Sequence, residues 1–235
     1  MSQVLLRKHT RREFRQRMQS GELQGVILPV AAIEQHLEHL AMEHDWRSVN
    51  HVAVEVARRL SPHVLVAQGL MAGISEHHMR HPGTLTLRPG SFLAVLADMI
   101  DSMVRAGFHH VLVLNGHGGN IAPCRGVWSQ LQQLSEVNLH FLPYWDVLTQ
   151  ADAQEHMATG IVPGHAQEFE TAVALAAFPQ NVRADVVSDQ PDTAPAQATA
   201  QAGAALLELV VTRVSEYLAD MLAGRRVAEI PPYHP

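Results

Sequence analysis

The chain has 235 residues, with 47% hydrophobic and 17% charged side chains, and its formal net charge is −6. This length supports a sizeable core, and the low charged fraction argues against a disordered chain. The acidic balance disfavours a protein that binds nucleic acid or an anionic membrane, because both partners need a basic face. The basic run near the N-terminus is interpreted as a solvated helix face or a subunit contact, and it comprises Arg7, Lys8, Arg11, Arg12, Arg15 and Arg17.

Cysteine usage and hydropathy indicate the cellular compartment in which the protein is expected. The single cysteine, Cys124, excludes an internal disulfide and is compatible with a reducing cytoplasm. A buried small hydrophobic residue is its more usual role than a nucleophile. No apolar run reaches about 18 residues, so no membrane span is expected, and the N-terminus is too polar for a secretory signal peptide. We therefore predict a cytoplasmic protein.

Predicted strands and helices alternate along the chain. In order, the patterns predict a helix at 10–20, a strand at 25–30, a helix at 46–60, a strand at 64–67, helices at 90–106 and 121–135 on either side of a strand at 111–114, a strand at 138–142, and helices at 167–177 and 203–222. Ser91 is the expected N-cap of the 90–106 helix, and Gly107 is its expected stop. Residues 180–197 are expected to form an irregular surface loop, and the proline-rich tail at 230–235 to pack on the surface or on a neighbour. The alternation predicts an α/β fold with a mostly parallel sheet, helices on both faces, and one domain over 1–235.

Side chains that bind divalent metals follow the first predicted strand. Glu34 and His36 are separated by one residue, so an extended segment would point both toward one centre. Asp45 follows, and its two carboxylate oxygens could bridge two ions. Such residues lie past the carboxyl end of a strand, where α/β proteins build their sites.

A glycine-rich motif, Asn-Gly-His-Gly-Gly-Asn at 115–120, follows the strand at 111–114. Its glycines allow close backbone approach and positive φ, and they surround His117. A phosphate cradle is the alternative interpretation, because glycine-rich loops also bind phosphates. No Lys-Ser/Thr follows the motif and no dinucleotide-type glycine pattern is present, so the metal interpretation is favoured.

A third cluster comprises His165, Glu168 and Glu170 at the start of the predicted helix at 167–177. His165 and Glu168 are expected to share a helical face from which Glu170 turns away, so the two carboxylates should not serve the same ion. His165 and Glu168 are the catalytic candidates, and which glutamate binds metal stays open. Taken singly, each residue could equally be a hydrogen-bonded core group or a helix cap.

Substrate contacts are predicted at His78, Tyr144 and Trp145. His78 and its neighbour His77 could orient a ligand or contact a substrate, although paired histidines in a loop are more often exposed. Tyr144 and Trp145 could wall a substrate pocket, although aromatic residues at a strand end are as often part of the core.

Convergence of these clusters predicts a metal-dependent hydrolase. Divalent ions would ionise a water molecule near neutral pH and polarise a carbonyl. A protonated histidine could then donate to a leaving nitrogen, and His165 is the candidate. Amide hydrolysis, with a cyclic amide or formamide as the small-molecule substrate, is the favoured reaction.

The chain resembles the creatininase family of metal-dependent amidohydrolases from residue 28 to residue 171. The resemblance rests on four segments: 34–45, 73–84, 115–120 and 165–171. It implies a three-layer α/β/α fold, one or two divalent ions (Zn, Mn or Fe) and an oligomer, often a hexamer built from dimers. It also implies metal ligation by Glu34, His36, Asp45, His117 and Glu170, and an acid/base role for His165.

Several positions depart from the family pattern. Leu37-Glu38 replaces Gly-Pro, His44 replaces Thr, His81 replaces Phe, Gln167 replaces Gly and Gly118-Gly119 replaces the Tyr-Glu of creatininase itself. The last change removes one expected carboxylate ligand and disfavours creatinine as the substrate. Opening of a carbon ring or lactone, processing of a peptide-derived cofactor precursor, and a non-enzymatic metal-binding protein are the alternatives.

Overall fold

A computed structural model describes residues 3–230 and has a parallel sheet at its centre. The sheet strands are Gly25–Val30 (β1), Val64–Val66 (β2), His110–Asn115 (β3) and Asn138–Pro143 (β4). Their order is β2-β1-β3-β4, and every pair is parallel. The parallel sheet predicted from the sequence is thus confirmed, and the carboxyl ends of all its strands meet at one edge.

Helices cover both faces of the sheet. They are Arg11–Gln19 (α1), His44–Arg59 (α2), Pro89–Arg105 (α3), Ile121–Ser135 (α4), Gln150–His156 (α5), Glu168–Ala177 (α6) and Ala200–Leu222 (α7). One core lies between the sheet and α2, α6 and α7, and the other between the sheet and α1, α3 and α4. The architecture is therefore the expected three-layer α/β/α fold.

Successive strand residues enter opposite cores. Ile27 and Leu112 pack toward α2, α6 and α7, whereas Val26 and Val111 pack toward α3 and α4. Strand side chains alternate between faces, so a strand that is covered on both sides needs apolar residues at every position. Each fully buried Leu or Ile contributes about 1.5–3 kcal/mol of transfer free energy, and these strands anchor the loops that leave the sheet edge.

Some element boundaries differ from the sequence predictions. Helix α2 begins at His44, two residues before the predicted start at 46, so Asp45 lies in its first turn. A carboxylate is favoured there by the partial positive charge of the helix N-terminus. Helix α3 begins at Pro89 after Arg88, so the prediction of Ser91 as N-cap was wrong; proline is well suited to the first helical position. The predicted stop holds, because Gly107 follows α3 with φ 103°.

The short helix α5 was not predicted. Thr149 and Asp152 form a capping box at its start, and Arg213 of α7 pairs with Asp152. Seven residues are too few for a helical period to stand out in the sequence. The loop at 180–197 is largely irregular, as predicted, with single turns at Pro179–Asn181 and Ala194–Gln197.

Three sequence expectations concern burial and the chain end. Cys124 is buried, and burial raises the pKa of its thiol to about 12, which suits an inert core residue and not a nucleophile. Among the helices of residues 3–230, none combines the length and hydropathy needed to cross a bilayer. Of the proline-rich tail predicted at 230–235, residues 231–235 lie outside the described residues.

Candidate metal centre

The five predicted metal ligands converge at the carboxyl ends of β1 and β3. Glu34 and His36 lie on the segment after β1, and His117 follows β3. Asp45 and Glu170 occupy the first turns of α2 and α6. All five side chains are buried. The parallel sheet and two helix N-termini therefore bring together residues that are far apart in the chain.

Asp45 lies between the two imidazoles. Its Oδ1 is 3.0 Å from His36 Nε2, and its Oδ2 is 2.9 Å from His117 Nδ1. Glu170 Oε2 is 3.7 Å from His36 Nε2, and Glu34 Oε1 is 3.4 Å from His117 Nδ1. Two groups that share Asp45 could each hold a metal ion, and within each group the ligand atoms lie within 4.8 Å of one another.

Hydrogen bonds to backbone carbonyls orient both imidazoles. His36 Nδ1 lies 3.0 Å from the Glu34 carbonyl oxygen, and His117 Nε2 lies 3.0 Å from the Ile74 carbonyl oxygen. A carbonyl only accepts, so these nitrogens carry hydrogen. When the rings are neutral, the opposite nitrogens present lone pairs to the carboxylates, as metal-binding histidines do.

The electrostatics of the site favour the presence of cations. Burial lowers the pKa of His36, but Asp45 and Glu170 raise it to about 9 overall. Burial also lowers the pKa of His117, whereas its hydrogen bonds to Asp45 and Glu34 raise it to about 10. Burial raises the pKa of Asp45, but the two imidazoles hold it well below its usual range. The cluster therefore strongly favours positive charge beside its carboxylates.

These residues fit divalent metal ions. Glu34 Oε2 is buried and has no hydrogen-bond partner within residues 3–230, which leaves an acceptor for a cation. Burial raises the pKa of Glu170, and the neighbouring Asp45 carboxylate adds to this effect against the opposing influence of His36. Three carboxylates with two imidazoles form a donor set that suits borderline divalent ions such as Zn, Mn or Fe.

The glycine motif at 115–120 packs tightly against the 73–75 segment. A Cβ at Gly119 would collide with the Ile74 carbonyl oxygen and with His117 Nε2, and one at Gly73 would collide with the Ala31 carbonyl oxygen. Asn120 ties these segments together, because its amide accepts from the Ile74 N–H and donates to the Ala31 carbonyl. The glycines thus permit close packing that sets the position of His117.

A cavity of about 270 Å³ opens beside the ligands. His78 and Trp145, both predicted substrate contacts, line it together with His77. Tyr144 lies under Trp145 with ring centroids 5.0 Å apart and is 1% exposed, and it is not among the cavity-lining residues. Burial raises the pKa of Tyr144 well above its usual value. The structure therefore places two of the three predicted substrate contacts at the cavity and the third in the core.

His165 also lines the cavity, with Nδ1 3.7 Å from Glu34 Oε1. Burial and the nearby His36 lower the pKa of His165 to about 4. Glu168 points elsewhere, because its two oxygens accept the backbone N–H groups of Ala158 and Thr159 at 2.8 and 2.7 Å. The expected shared helical face does not exist, since α6 begins only at Glu168 and His165 lies in the preceding loop. Of the two glutamates, Glu170 lies in the donor cluster and Glu168 does not.

Comparison with known proteins places the chain in a family. The family described as creatinine amidohydrolase, Creatininase, matches residues 7–195. The chain belongs to the creatininase family. Both the matched range and the buried donor groups agree with the resemblance drawn from the sequence motifs.

The creatininase relatives carry different activities in their names. Creatinine amidohydrolase of Pseudomonas putida is 29% identical over 80% of this chain and 77% of its own length. A 3-dehydro-scyllo-inosose hydrolase of Thermotoga maritima is 26% identical over 75% of this chain and 57% of its own length. A mycofactocin precursor peptide peptidase of Mycobacterium ulcerans is 28% identical over 46% of each chain. Hydrolysis is common to the three names, whereas the substrates differ.

The fold also matches solved structures. The crystal structure of creatinine amidohydrolase (creatininase) aligns with a TM-score of 0.83 at 24% identity, covering 94% of this chain and 98% of that one. At this identity the likeness establishes the fold, and it agrees with the parallel sheet and its covering helices.

Three positions that depart from the creatininase pattern can be located in the structure. Leu37, which replaces a glycine, has φ 54°, a left-handed conformation that glycine adopts most readily. His44 is buried, with Nε2 3.2 Å from Ser48 Oγ, and its Nδ1 has no partner in the described part of the chain. Burial, with a further contribution from His36, lowers the pKa of His44 to about 3, so this ring is neutral. His81 is exposed.

Proposed function

We propose that this creatininase-family hydrolase adds water across a non-peptide C–N bond, in a cyclic amide or a formamide. The observation that carries the proposal is the pair of donor groups that share Asp45 and border a cavity lined by His78 and His165. A single carboxylate between two imidazoles is suited to hold two ions close together, and paired ions are suited to hydrolysis.

The ligands divide into two sets in this proposal. Glu34, Asp45 and His117 would hold one divalent ion, and His36, Asp45 and Glu170 would hold the other, each being Zn, Mn or Fe. Bound divalent ions supply two effects, a lowered pKa for a water molecule and polarisation of the substrate carbonyl.

His165 is the proposed proton donor to the leaving nitrogen. Its imidazole borders the cavity on the loop that leads into α6 and belongs to neither of the two donor groups that share Asp45, although it forms a further potential metal-binding group with Glu34 and His36. Because His165 is neutral, it would donate its N–H as a hydrogen bond to the nitrogen, and the proton that the nitrogen takes up as the C–N bond breaks would be the one lost by the attacking water. The hydroxyl group ends on the carbonyl carbon, so one water is added overall.

The remaining predicted residues would contact the substrate or support the site without binding metal. His78 and Trp145 would contact the substrate, and a cavity of about 270 Å³ suits a small ring or a formamide. Glu168 would hold the loop that leads to His165, through its bonds to Ala158 and Thr159. Tyr144 would pack against Trp145 and hold its ring in place.

A substrate screen tests the reaction. Protein reconstituted with Zn, Mn or Fe is offered lactams, hydantoins and formamides, with lactones, a cyclic polyol-derived ketone and short peptides as competing classes. We expect turnover of a C–N substrate by the metal-loaded protein and none after chelation. Turnover confined to lactones, cyclic ketones or peptides would reject the proposed bond, and metal binding without any turnover would favour the non-enzymatic alternative. The relatives named for inosose and peptide hydrolysis make those competing classes necessary.

A further inference from the structure

Gln35, between two of the predicted ligands, contacts two of the imidazoles that line the cavity. Its side-chain nitrogen Nε2 lies 2.9 Å from His78 Nδ1 and 2.8 Å from His165 Nε2. The two rings stack on each other with centroids 4.4 Å apart and planes inclined by 21°. One amide group therefore joins two histidines that come from different loops.

The backbone fixes which end of the Gln35 amide faces the rings. Gln35 Oε1 accepts the Leu37 N–H at 3.0 Å. An N–H can only donate, so the oxygen must occupy that side and the NH₂ group must face His78 and His165. The two amide hydrogens are enough to serve one ring each.

This arrangement determines where the imidazole hydrogens lie. A ring nitrogen that accepts from the amide carries no hydrogen, so His78 Nδ1 and His165 Nε2 are bare. An imidazolium has hydrogen on both nitrogens, so both rings are neutral and their hydrogens are on His78 Nε2 and His165 Nδ1. These two atoms are each 3.7 Å from the same oxygen, Glu34 Oε1.

We propose that Gln35 is a positioning residue that fixes the tautomers of His78 and His165, so that both present N–H groups beside Glu34 Oε1 at the wall of the cavity. A substrate group that binds against these N–H groups must offer lone pairs. A carbonyl oxygen meets this requirement, and so does an amide nitrogen once addition to the carbonyl has freed its lone pair. The catalytic meaning of the proposal rests on the proposed C–N hydrolysis, whereas the tautomers themselves do not.

Neutron diffraction tests the tautomers directly. Crystals of the metal-loaded protein are exchanged into deuterium oxide, and the deuterium positions on both rings are determined. We expect deuterium on His165 Nδ1 and His78 Nε2, and none on His165 Nε2 or His78 Nδ1. Deuterium on either of the nitrogens that face Gln35 would overturn the proposal, whatever the substrate screen finds.

Variants separate this role from a merely structural one. Gln35→Met keeps the length of the side chain and removes the donors, and Gln35→Glu replaces the donors with acceptors. Gln24→Met is the matched control, because Gln24 makes an exposed 3.5 Å contact with His63. We expect both Gln35 variants to retain their metal and to lose the assigned tautomer on at least one ring.

With a substrate in hand, kcat of both Gln35 variants should fall about 10–100-fold with little change in KM, and Gln24→Met should match the wild type. Unchanged tautomers together with unchanged kcat in Gln35→Met would overturn the role of Gln35. Failure to find any C–N substrate would reject the proposed function alone, because the deuterium positions would still decide the tautomers.

Discussion

At the scale of single residues, Asp45 organises the centre. Its two oxygens face different imidazoles, His36 and His117, at 3.0 and 2.9 Å. Asp45 belongs both to the donor group with Glu34 and His117 and to the donor group with His36 and Glu170. Charged groups this close and this buried interact strongly, and removing one partner of such a pair costs about 3–5 kcal/mol when no metal replaces it.

His165 should be needed for turnover but not for metal. We expect His165→Ala to keep its metal content and to lose about 10²–10⁴-fold in kcat, because it removes a proton donor and leaves both donor groups intact. Elemental analysis and steady-state kinetics measure the two effects, with the exposed His109→Ala as control. Loss of metal from His165→Ala would make this residue a ligand and contradict the assigned role.

Glu168 should contribute to the stability of the fold and not to the chemical step. Glu168→Gln keeps the shape but offers one acceptor oxygen to two backbone N–H groups, those of Ala158 and Thr159. We expect it to lower the free energy of unfolding by about 1–3 kcal/mol, the cost of an unsatisfied buried donor. Urea denaturation measures the loss, with the exposed Glu155→Gln as control. Stability equal to the control, combined with lost turnover, would return Glu168 to the catalytic group.

The clustering of the proposed ligands was predictable from the sequence, whereas their supporting contacts were not. Glu34, His36 and His117 lie just past apolar strands, where metal-binding residue types indicate a site. Gln35 and Asn120 gave no such signal, because an amide has many structural uses. The partners of Gln35 lie 43 and 130 residues away in the chain, so only the folded structure brings them together.

At the scale of elements, the strands were predicted most accurately because burial on both faces leaves an unbroken apolar run. Helix starts were harder to predict, because several neighbouring residues can each serve as the N-cap. The earlier start of α2 shows the consequence, because it converts Asp45 from a loop residue into a first-turn residue with a fixed direction. Glu168 and Glu170 show the same effect, because the start of α6 decides which of them faces the site.

Close packing of α6 against α7 should depend on Gly203. A Cβ at this position would collide with the backbone carbonyl of Ala172, which cannot rotate away as a side chain can. We expect Gly203→Ala to destabilise the fold by about 1–3 kcal/mol. Gly126→Ala, in helix α4 with nothing within 4 Å, should instead stabilise it by about 0.5–1 kcal/mol. Thermal denaturation compares the two, and equal effects would contradict the packing described for α6 and α7.

At the scale of the whole molecule, we predict a homo-oligomer. The family resemblance implies one, and large apolar side chains are exposed, including Met42, Met79 and Leu85, the last of which is 54% exposed. Light scattering should give a mass several times the 25.8 kDa of one chain. A mass of one chain at micromolar concentration would contradict this prediction. The single-domain organisation over 1–235 and the cytoplasmic location also stay predictions.

Anomalous scattering from metal-loaded crystals, measured on both sides of the absorption edge, shows whether Asp45 holds two ions. We expect two peaks within about 2.0–2.3 Å of the Asp45 oxygens, one beside Glu34 and His117 and the other beside His36 and Glu170. Asp45→Asn should weaken both peaks together. An absence of peaks at Asp45, or ions held elsewhere while Asp45 stays bonded only to the two imidazoles, would contradict the proposed metal centre.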